Sequence, residues 1–335
     1  MADTGTICWV LSDGRKGMEN QCLGLAEHVA DEIGNLTIIT KRIQPHAPWK
    51  WLPESVLGRP WPFPFAALGQ DSDTLVEPWP DLLIACGRKT VAYSAAIKRR
   101  SHGRTFVVQL QDPRLNPRYF DLVIPPKHDH LTGDNVLPIL GSPNRITPGK
   151  LADGAKQAEG LFDALPRPLV AVLIGGSSRH FTLDLAVMDD LVARLAHLAS
   201  DGYGLMITTS RRTGTAQEDL LRSTLQGPNV HIWNGVEPNP YFAMLGLADH
   251  IMVTEESTNM VTEAAATGKP VHVIALKGRS PKFARFHAEM KSAGITRIFD
   301  GTLDSWEYEA LNETGRAATV VASHLRSNSI IHTDS

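Results

Sequence analysis

The sequence contains few cysteines, no long apolar run and no excess of basic charge. Its three cysteines show no CxxC or His-paired spacing, which argues against a disulfide framework or a zinc site and favours a reduced intracellular compartment. No uninterrupted apolar stretch approaches the roughly 20 residues that a membrane span requires, and no secretory signal opens the chain. The net charge of −3 argues against a nucleic-acid partner. We therefore expect a cytoplasmic protein.

Apolar residues occur instead in short runs, separated by amphipathic stretches of helix length. The chain has 335 residues, a length that suits two domains of about 150 residues each. Continuous apolar runs this short are typical of strands that are buried on both faces of a parallel sheet. The predicted strands are residues 7–11, 36–43, 82–86, 105–110, 122–124, 136–140, 169–174, 204–208, 230–233, 251–254 and 271–276.

Helices are predicted between the strands, and the series restarts after a segment rich in proline and glycine at 141–149. Thr215 and Glu218 are predicted to form a capping box at the start of one helix. The fold class is therefore predicted to be α/β, with two Rossmann-like, doubly wound parallel-sheet domains at 1–148 and 149–303. The predicted helices are residues 21–33, 90–98, 185–198, 215–225 and 304–325, followed by a tail at 326–335.

The segment 45–80 interrupts this pattern, because it combines tryptophans and phenylalanines with many prolines. Proline at this density excludes a regular helix or a central strand. One interpretation is a long loop whose aromatic side chains pack onto the first domain. The other is a lid or acceptor-binding surface that touches a lipid or an apolar aglycone, with peripheral contact at the inner membrane. The sequence leaves both interpretations open.

The strongest candidate site follows the predicted strand 251–254. Ser257, Thr258 and Asn259 stand where the next helix is expected to begin, and a helix N-terminus with its unpaired N–H groups suits a diphosphate. Glu263, in the first turns of that helix, is expected to accept hydrogen bonds from ribose hydroxyls. The alternative is that Ser257 only caps the helix and that Glu263 is a solvated charge.

A second candidate site follows the first predicted strand, at the edge where open α/β sheets bind ligands. The glycines of this site permit a close backbone approach, and its basic side chains are candidates for phosphate contacts. Asp13 or Glu19 is a candidate general base for an acceptor hydroxyl. The alternative is a glycine-containing turn in which Asn20 caps the next helix. The residues of the site are Asp13, Gly14, Arg15, Lys16 and Gly17.

Polar residues follow other predicted strands as well. Those in the first half are expected to line the acceptor side, and those in the second half to clamp a diphosphate. They are Arg88, Gln111 and Asp112 in the first half and Arg211 and Arg212 in the second. The run 127–130 contains two histidines and an aspartate, but neighbouring side chains in an extended segment point to opposite faces. No metal site is therefore predicted.

Residues 249–276 resemble the nucleotide-sugar signature of the GT-B glycosyltransferases, notably the peptidoglycan N-acetylglucosaminyl transferase and the lipid A disaccharide synthase. In those families a Ser/Thr-rich turn holds the pyrophosphate, and a glutamate a few positions later holds the ribose. The resemblance implies these roles for Ser257 and Glu263. It also implies a cleft between the two domains, catalysis without a metal or other cofactor, and a last helix that crosses back to the first domain.

Two further stretches resemble the same enzymes. The residues that match their phosphate loop are Gly175, Gly176 and Ser177, and those that match their nucleobase contact are Trp233, Asn234 and Gly235. The run from Ser12 to Leu25 is similar to that of the bacterial relatives of the plant mitochondrial-fission protein of the Elm type, and this resemblance covers residues 7–325. Where that family has histidine, the chain has Met18.

The leading hypothesis is a GT-B glycosyltransferase that moves a sugar from a nucleoside-diphosphate donor to a lipid-linked or saccharide acceptor. The second domain is expected to bind the sugar nucleotide, and the first domain the acceptor. A second hypothesis is a non-catalytic scaffold that keeps the fold and recruits a partner, which Met18 favours. A third is a sugar-nucleotide epimerase, which shares the two-domain cleft.

Overall fold

The computed structural model describes residues 5–51, 64–236 and 238–333. The chain divides into two compact units, Met1–Arg145 with Asn312–Ser335, and Ile146–Leu311. The strands, in chain order, are β1 Thr6–Ser12, β2 Leu36–Arg42, β3 Leu82–Cys86, β4 Phe106–Leu110, β5 Leu122–Ile124, β6 Leu169–Ile174, β7 Phe181–Thr182, β8 Gly204–Thr209, β9 Val230–Ile232, β10 His250–Thr254, β11 Val271–Ile274, β12 Lys277–Gly278 and β13 Thr296–Ile298. The α-helices of the described ranges are α1 Lys16–Ile33, α2 Val91–Arg100, α3 Pro148–Gln157, α4 Leu185–Ser200, α5 Thr215–Thr224, α6 Tyr241–Leu247, α7 Thr258–Ala265, α8 Pro281–Ser292 and α9 Glu313–Thr333.

The first unit is built on a sheet of five parallel strands in the order β2-β1-β3-β4-β5. Every residue of β3 and β4 is buried, as expected for central strands with both faces covered. Successive residues of β1 point to opposite faces. Cys8 and Val10 pack with α1 and α9, whereas Trp9 and Leu11 pack with α2. The unit is therefore a sheet between two helical layers.

The second unit is built on a sheet of six parallel strands in the order β13-β11-β10-β6-β8-β9. The central strands β6 and β10 are buried throughout. Val170 and Val172 of β6 share a core with Met188 and Leu195 of α4, which repeat at helical spacing. The short strands β7 and β12 pair antiparallel outside this sheet and join the loops that follow β6 and β11.

The predicted fold class is confirmed, because the chain is α/β with two parallel-sheet, Rossmann-like domains. Three predicted strands, at 82–86, 122–124 and 169–174, coincide with β3, β5 and β6. The middle of the aromatic and proline-rich segment, residues 52–63, lies outside the described residues. In the part that is described, no helix is long and apolar enough to cross a lipid bilayer.

The predicted strand 136–140 is wrong. Val136 and Ile139 form only isolated bridges, with Val123 and Pro126. Pro138 lies between them and has no N–H group to donate, so a regular ladder does not form along this segment.

The predicted helix 304–325 begins later than expected, at Glu313 in α9. The amide of Gly315 donates to Asn312 Oδ1 at 3.1 Å. Asn312 therefore caps this helix, eight residues after Asp304, the residue at which the predicted helix begins. α9 packs against α1 in the first unit.

The residues before α9 belong to the second unit and are held there by backbone acceptors. The hydroxyl of Tyr308 donates to the carbonyl of Lys269 at 2.7 Å. The amide of Leu311 donates to the carbonyl of Ala265, at the end of α7, at 3.1 Å. These bonds to another part of the unit replace the local helical bonds that the amphipathic pattern predicts.

One helix start and one predicted helix cap also differ from the predictions. α1 begins at Lys16 instead of residue 21, directly after a turn in which Gly14 has a φ of 81°. Gly214 occupies the N-cap of α5, and Glu218 accepts a hydrogen bond from the hydroxyl of Thr209 at 2.8 Å. The predicted capping box of Thr215 and Glu218 is therefore wrong. The sequence reasoning also missed α3, α8, β7, β12 and β13.

Candidate functional site

In both sheets the chain first builds strands on one side of its first strand and later on the other side. β6 is followed by β8 and β9 on one side, and then by β10, β11 and β13 on the other. The carboxyl ends of β6 and β10 therefore flank a topological switch point, where open α/β sheets bind ligands. In the first unit the equivalent point lies between β1 and β3. These two edges carry most of the predicted site residues.

Three loops meet at the switch point of the second unit, and we call them the switch-point cluster. They are residues 175–177 after β6, 210–213 after β8 and 255–257 after β10. The hydroxyl of Ser210 donates to the carbonyl of Gly175 at 2.8 Å. The amide of Ser177 donates to the carbonyl of Arg212 at 3.2 Å. The first two loops are therefore joined by a hydroxyl–carbonyl bond and a backbone–backbone bond.

Gly175 and Gly176 are required because the loops approach each other closely. A Cβ atom at Gly175 would overlap the carboxylate of Glu256, and one at Gly176 would overlap the backbone carbonyl of Arg212. The two glycine amides donate within the protein, to the hydroxyl of Thr254 and to Glu256, both at 2.8 Å. The predicted phosphate loop thus has both glycine amides engaged by protein groups.

Glu256 is a buried acid, with 5% of the residue exposed. Its Oε1 accepts from the Gly176 amide at 2.8 Å and from Arg212 Nη2 at 3.2 Å. Its Oε2 is buried and accepts no hydrogen bond from the residues that the structure describes. Burial raises the pKa of Glu256, whereas the Gly176 amide, the Thr254 hydroxyl and Arg212 oppose that rise.

Ser257 caps α7, since its hydroxyl accepts from the amide of Met260 at 3.4 Å. The prediction that a helix begins here is confirmed. Thr258 and Asn259 are the first two residues of α7, and both are partly exposed. The positive end of the helix dipole therefore lies directly beside Glu256, at the switch-point cluster.

Glu263 connects the later part of α7 to the start of α6. The hydroxyl of Tyr241 donates to Glu263 Oε2 at 2.6 Å. Burial raises the pKa of Glu263 to about 7, and the hydrogen bond from Tyr241 opposes this rise. Burial and the nearby carboxylate raise the pKa of Tyr241 in turn. The predicted ribose acceptor is therefore a half-buried carboxyl with a fixed phenol partner.

The predicted nucleobase contacts follow β9 and lead towards α6. The carbonyl of Trp233 accepts from Arg222 Nη2 at 2.6 Å, which fixes the backbone at this point. Asn234 Oδ1 accepts from the amide of Val236 at 3.0 Å and closes a turn around Gly235, which has a φ of 81°. The turn is exposed at the carboxyl edge of the sheet.

In the first unit, Asp13 stands at the end of β1, and only 1% of its side chain is exposed. Arg15 Nε donates to its two oxygens at 3.0 and 2.8 Å, and the Arg15 amide donates at 3.3 Å. Lys89, which follows β3, has its Nζ 4.0 Å from Asp13 Oδ2. The structure thus brings one acid and two cations together at the switch point of the first sheet.

Glu19, the other predicted base, lies on α1 with 5% of the residue exposed. Arg42 Nε and Nη2 donate to its two oxygens at 2.8 and 2.9 Å. The hydrogen bonds from Arg42 lower the pKa of Glu19, although burial opposes them. Because both oxygens are engaged, the geometry favours a structural ion pair between α1 and the end of β2.

Met18 lies at the same edge, in contact with the ends of β3 and β4. Its sulfur is 3.3 Å from Cys86 Sγ and 3.2 Å from Gln111 Nε2. Gln111 also donates to Gln21 Oε1 at 3.2 Å. Gln111, which is predicted from the sequence to line the acceptor side, therefore contacts the uncharged thioether of Met18. Met18 stands at the position where the similar Elm-type sequences have histidine.

The remaining predicted residues lie at the strand ends without joining these clusters. Asp112 pairs with Arg114, whose Nε lies 3.1 Å from Asp112 Oδ2. The exposed residues of this group are Gly14, Lys16, Gly17, Arg88 and Arg211. Within the described ranges, no group of three or more histidine, cysteine or carboxylate side chains is placed to hold a metal ion.

Sequence reasoning missed Thr254, Glu256 and Tyr241. The first two stand in a polar run before a helix, which is typical of a solvated turn, and only the tertiary approach of the glycine loop buries them. One available signal is that Glu256 directly precedes the cap Ser257 at a strand end. Tyr241 carries no local signal, because its partner Glu263 lies on another element.

Comparison with known proteins gives a family and a fold. The family model for mitochondrial fission ELM1 matches residues 16–325. Over 277 residues the chain is 35% identical to the mitochondrial fission protein ELM1 of Arabidopsis thaliana, which covers 73% of this chain and 64% of the Arabidopsis protein. The chain therefore spans less than two thirds of the length of this relative.

Two solved structures share the fold across nearly the whole chain. UDP-GlcNAc 2-epimerase from Neisseria meningitidis, bound to UDP-GlcNAc, has a TM-score of 0.56 and 14% identity, over 96% of this chain and 100% of the epimerase. MurG from Acinetobacter baumannii has a TM-score of 0.51 and 14% identity, over 96% of this chain and 99% of MurG. Identities this low establish a fold that glycosyltransferases and epimerases share, and they do not establish an activity.

Proposed function

The chain belongs to the mitochondrial fission ELM1 family, and from its GT-B fold and its switch-point cluster we propose that it is a glycosyltransferase. The second unit binds a nucleoside-diphosphate sugar. The first unit binds a lipid-linked or saccharide acceptor, in the cytoplasm and with peripheral contact at the inner membrane. The observation that carries the proposal is the meeting of three strand-end loops and the start of α7 at a topological switch point.

The diphosphate binds at the start of α7. The helix dipole and the N–H groups of the first turn favour an anion there. Arg212 adds a mobile positive charge, because its guanidinium reaches the cluster while 48% of its side chain is exposed. Arg211 is exposed next to it. Since the glycine amides are engaged, α7 and these arginines supply most of the phosphate contacts.

The nucleoside binds along α7 towards α6. Glu263 accepts a ribose hydroxyl through Oε1, because the Tyr241 hydroxyl is bonded to Oε2 at 2.6 Å. The exposed turn around Gly235 contacts the base through its backbone groups. This order of phosphate, ribose and base follows the direction from Ser257 to Glu263 along the helix.

Transfer breaks the bond between the anomeric carbon of the sugar and the diphosphate, and it forms a bond between that carbon and the oxygen of the acceptor hydroxyl. Negative charge develops on the departing diphosphate, and stabilising that charge in a preorganised site is the main catalytic contribution. The start of α7 and Arg212 supply this stabilisation in the second unit. In the first unit Asp13 accepts the proton of the acceptor hydroxyl, which requires Arg15 to release at least one of the two Asp13 oxygens that it now engages.

A thermal-shift panel of uridine, guanosine and adenosine diphosphates and their sugars tests donor binding. A ligand at 100 times its dissociation constant adds about 2.7 kcal/mol of stability, which corresponds to a rise in Tm of about 5–11 °C for a domain of this size. Glu263→Ala should remove most of the shift, whereas the control Glu309→Ala, an exposed acid of the same unit, should keep it. An unchanged shift in Glu263→Ala would exclude Glu263 from the site.

A non-catalytic scaffold is the second candidate, and one observation favours it. The predicted acids already have protein partners, since Asp13 is paired with Arg15 and Glu19 with Arg42. A scaffold predicts no thermal shift with any nucleotide of the panel. A sugar-nucleotide epimerase predicts the same shift as the transferase, but it converts the free sugar nucleotide to its epimer without an acceptor, which product analysis detects.

A further inference from the structure

We infer that a diphosphate bound at the switch-point cluster is recognised together with a protonated Glu256, so that each binding event takes up one proton from solvent. This inference rests on the proposed function, because it describes the protonation of the same donor site. It concerns a residue with no role in the resemblance to known glycosyltransferases. It also predicts how donor affinity changes with pH.

The geometry places a protein anion where a ligand anion is expected. Glu256 Oε1 accepts from the Gly176 amide and from Arg212, two groups of the kind that hold phosphate oxygens. The carboxylate stands two residues before the first residue of α7 and thus shares the positive end of the helix dipole with any bound anion. A diphosphate at this helix start therefore competes with Glu256 for the same positive groups.

Two anions that share a partly buried site cannot both remain charged at low cost, and the weaker acid takes up a proton. A bound diphosphate attracts Arg212, whose exposed guanidinium leaves Glu256 when it turns to the ligand. Glu256 then keeps only the Gly176 amide and the Thr254 hydroxyl as stabilising partners, while burial already raises its pKa. The loss of its counter-ion and the arrival of a second anion act in the same direction.

The proton has a specific position. Glu256 Oε2 is buried and accepts no hydrogen bond across the described part of the chain. A proton on Oε2 leaves the bond between Oε1 and Gly176 intact. The Glu256 side chain has no exposed surface, so the proton does not contact the ligand; it removes the negative charge that would otherwise repel the phosphate.

The other titratable groups around Glu256 are engaged differently. Glu255 is directed to the loop after β11, where its Oε1 accepts from the amide of Leu276. Burial and the adjacent Glu256 raise the pKa of Glu255, and the bond from Leu276 opposes the rise. His287 contacts the carbonyl of Glu255 at 2.8 Å, and burial lowers its pKa. Arg212 therefore remains the charged partner of the Glu256 carboxylate.

Isothermal titration calorimetry of the full chain measures the proton directly. UDP-N-acetylglucosamine and GDP-mannose are suitable probes, because a doubly esterified diphosphate has no proton to exchange between pH 7 and 8.5. Titration in buffers of different ionisation enthalpy gives the number of protons bound with the nucleotide sugar. We expect an uptake that approaches one proton, and an affinity that falls by up to about tenfold per pH unit.

Glu256→Gln is the matched variant, since it keeps the Oε1 acceptor and cannot ionise. It should bind at least as tightly as the wild type at pH 8.5 and take up about one proton fewer, so that any remaining pH dependence follows the titration of Glu263, whose pKa is about 7. Glu255→Gln is the control and should retain the uptake. If the wild type binds the nucleotide sugar without taking up a proton, or if only Glu255→Gln loses the proton uptake, this inference is wrong. Either result would leave the proposed donor site unaffected.

Absence of binding by both probes at any pH would overturn the donor site and this inference together. If Glu256→Gln does not fold, proton uptake that persists in Glu263→Gln decides the question, because Glu263 also titrates in this pH range. The two claims therefore fail by different observations.

Discussion

The pKa of Glu263 makes the stability of the second unit depend on pH in a way that one substitution removes. Burial raises the pKa of Glu263 from 4.5 to about 7. Between these values the folded protein binds more protons than the unfolded chain, so the free energy of unfolding falls as the pH rises through this window. Glu263→Gln keeps an acceptor for the Tyr241 hydroxyl and has no charge to bury.

The size of the effect follows from the shift. Each pKa unit corresponds to about 1.4 kcal/mol, which limits the cost of the ionised Glu263 to about 3 kcal/mol at pH 8. At about 2–4 °C per kcal/mol, Glu263→Gln should raise the Tm of the second unit by up to about 6–12 °C at pH 8. At about pH 4 the carboxyl is protonated in both states, and the difference should almost vanish.

Differential scanning calorimetry of wild type and variant from pH 4 to 8 measures this difference. Taking the difference between the two proteins cancels the titration of every other group. Tyr241→Phe adds a second check, because it removes the hydrogen bond that opposes the rise in the pKa of Glu263. Its loss of Tm relative to wild type should grow with pH. A Tm difference between Glu263→Gln and wild type that stays constant over this range would refute the burial argument.

Three further predictions concern packing, acid stability and capping. Gly176→Ala should destabilise the second unit by about 1–3 kcal/mol, because its Cβ would overlap the Arg212 carbonyl, and an unchanged Tm would contradict this packing. Burial lowers the pKa of His272 from 6.5 to about 4, so stability is lost as the pH falls through that window. Over this pH range the Tm of His272→Phe should fall less than the Tm of the wild type. Parallel curves of Tm against pH for the two proteins would argue against a buried neutral histidine. Asn312→Ala should lower the urea midpoint of the first unit by an amount equivalent to about 1 kcal/mol, because the Gly315 amide loses its acceptor. An unchanged midpoint would contradict this role of Asn312 as the cap.

The buried parallel strands could be predicted from the sequence because burial on both faces leaves a continuous apolar run. β3 and β6 show this, since each is buried at every residue and each has the predicted bounds. The strands β7 and β12 could not be found, because two residues are too short to show a period. β13 buries only Thr296 and therefore has no apolar pattern.

The helix ends depended on tertiary contacts that local signals do not contain. Asp304 stands before an amphipathic stretch and has the residue type of a cap, yet Tyr308 bonds to the Lys269 carbonyl and holds the chain in a non-helical form. Asn312 has the same kind of side chain and becomes the cap. Sequence alone offers no means to choose between the two.

The candidate site also has some features that could be predicted from the sequence and others that could not. The start of α7 at Ser257 could be predicted, because a capping hydroxyl before a helical stretch is a local signal. The burial of Glu256 could not, because the glycine loop that covers it is distant in the sequence. The engagement of Glu19 by Arg42 depends likewise on the packing of α1 against the end of β2.

Hydrogen–deuterium exchange of the full chain with and without a nucleotide sugar tests the central claim most directly. A diphosphate at the start of α7 should slow the exchange of amides in residues 257–260 and in the loop 210–213, with smaller changes near Tyr241 and Glu263. Protection confined to the first unit, or binding by calorimetry with no protection at 257–260, would contradict the assignment of the donor site.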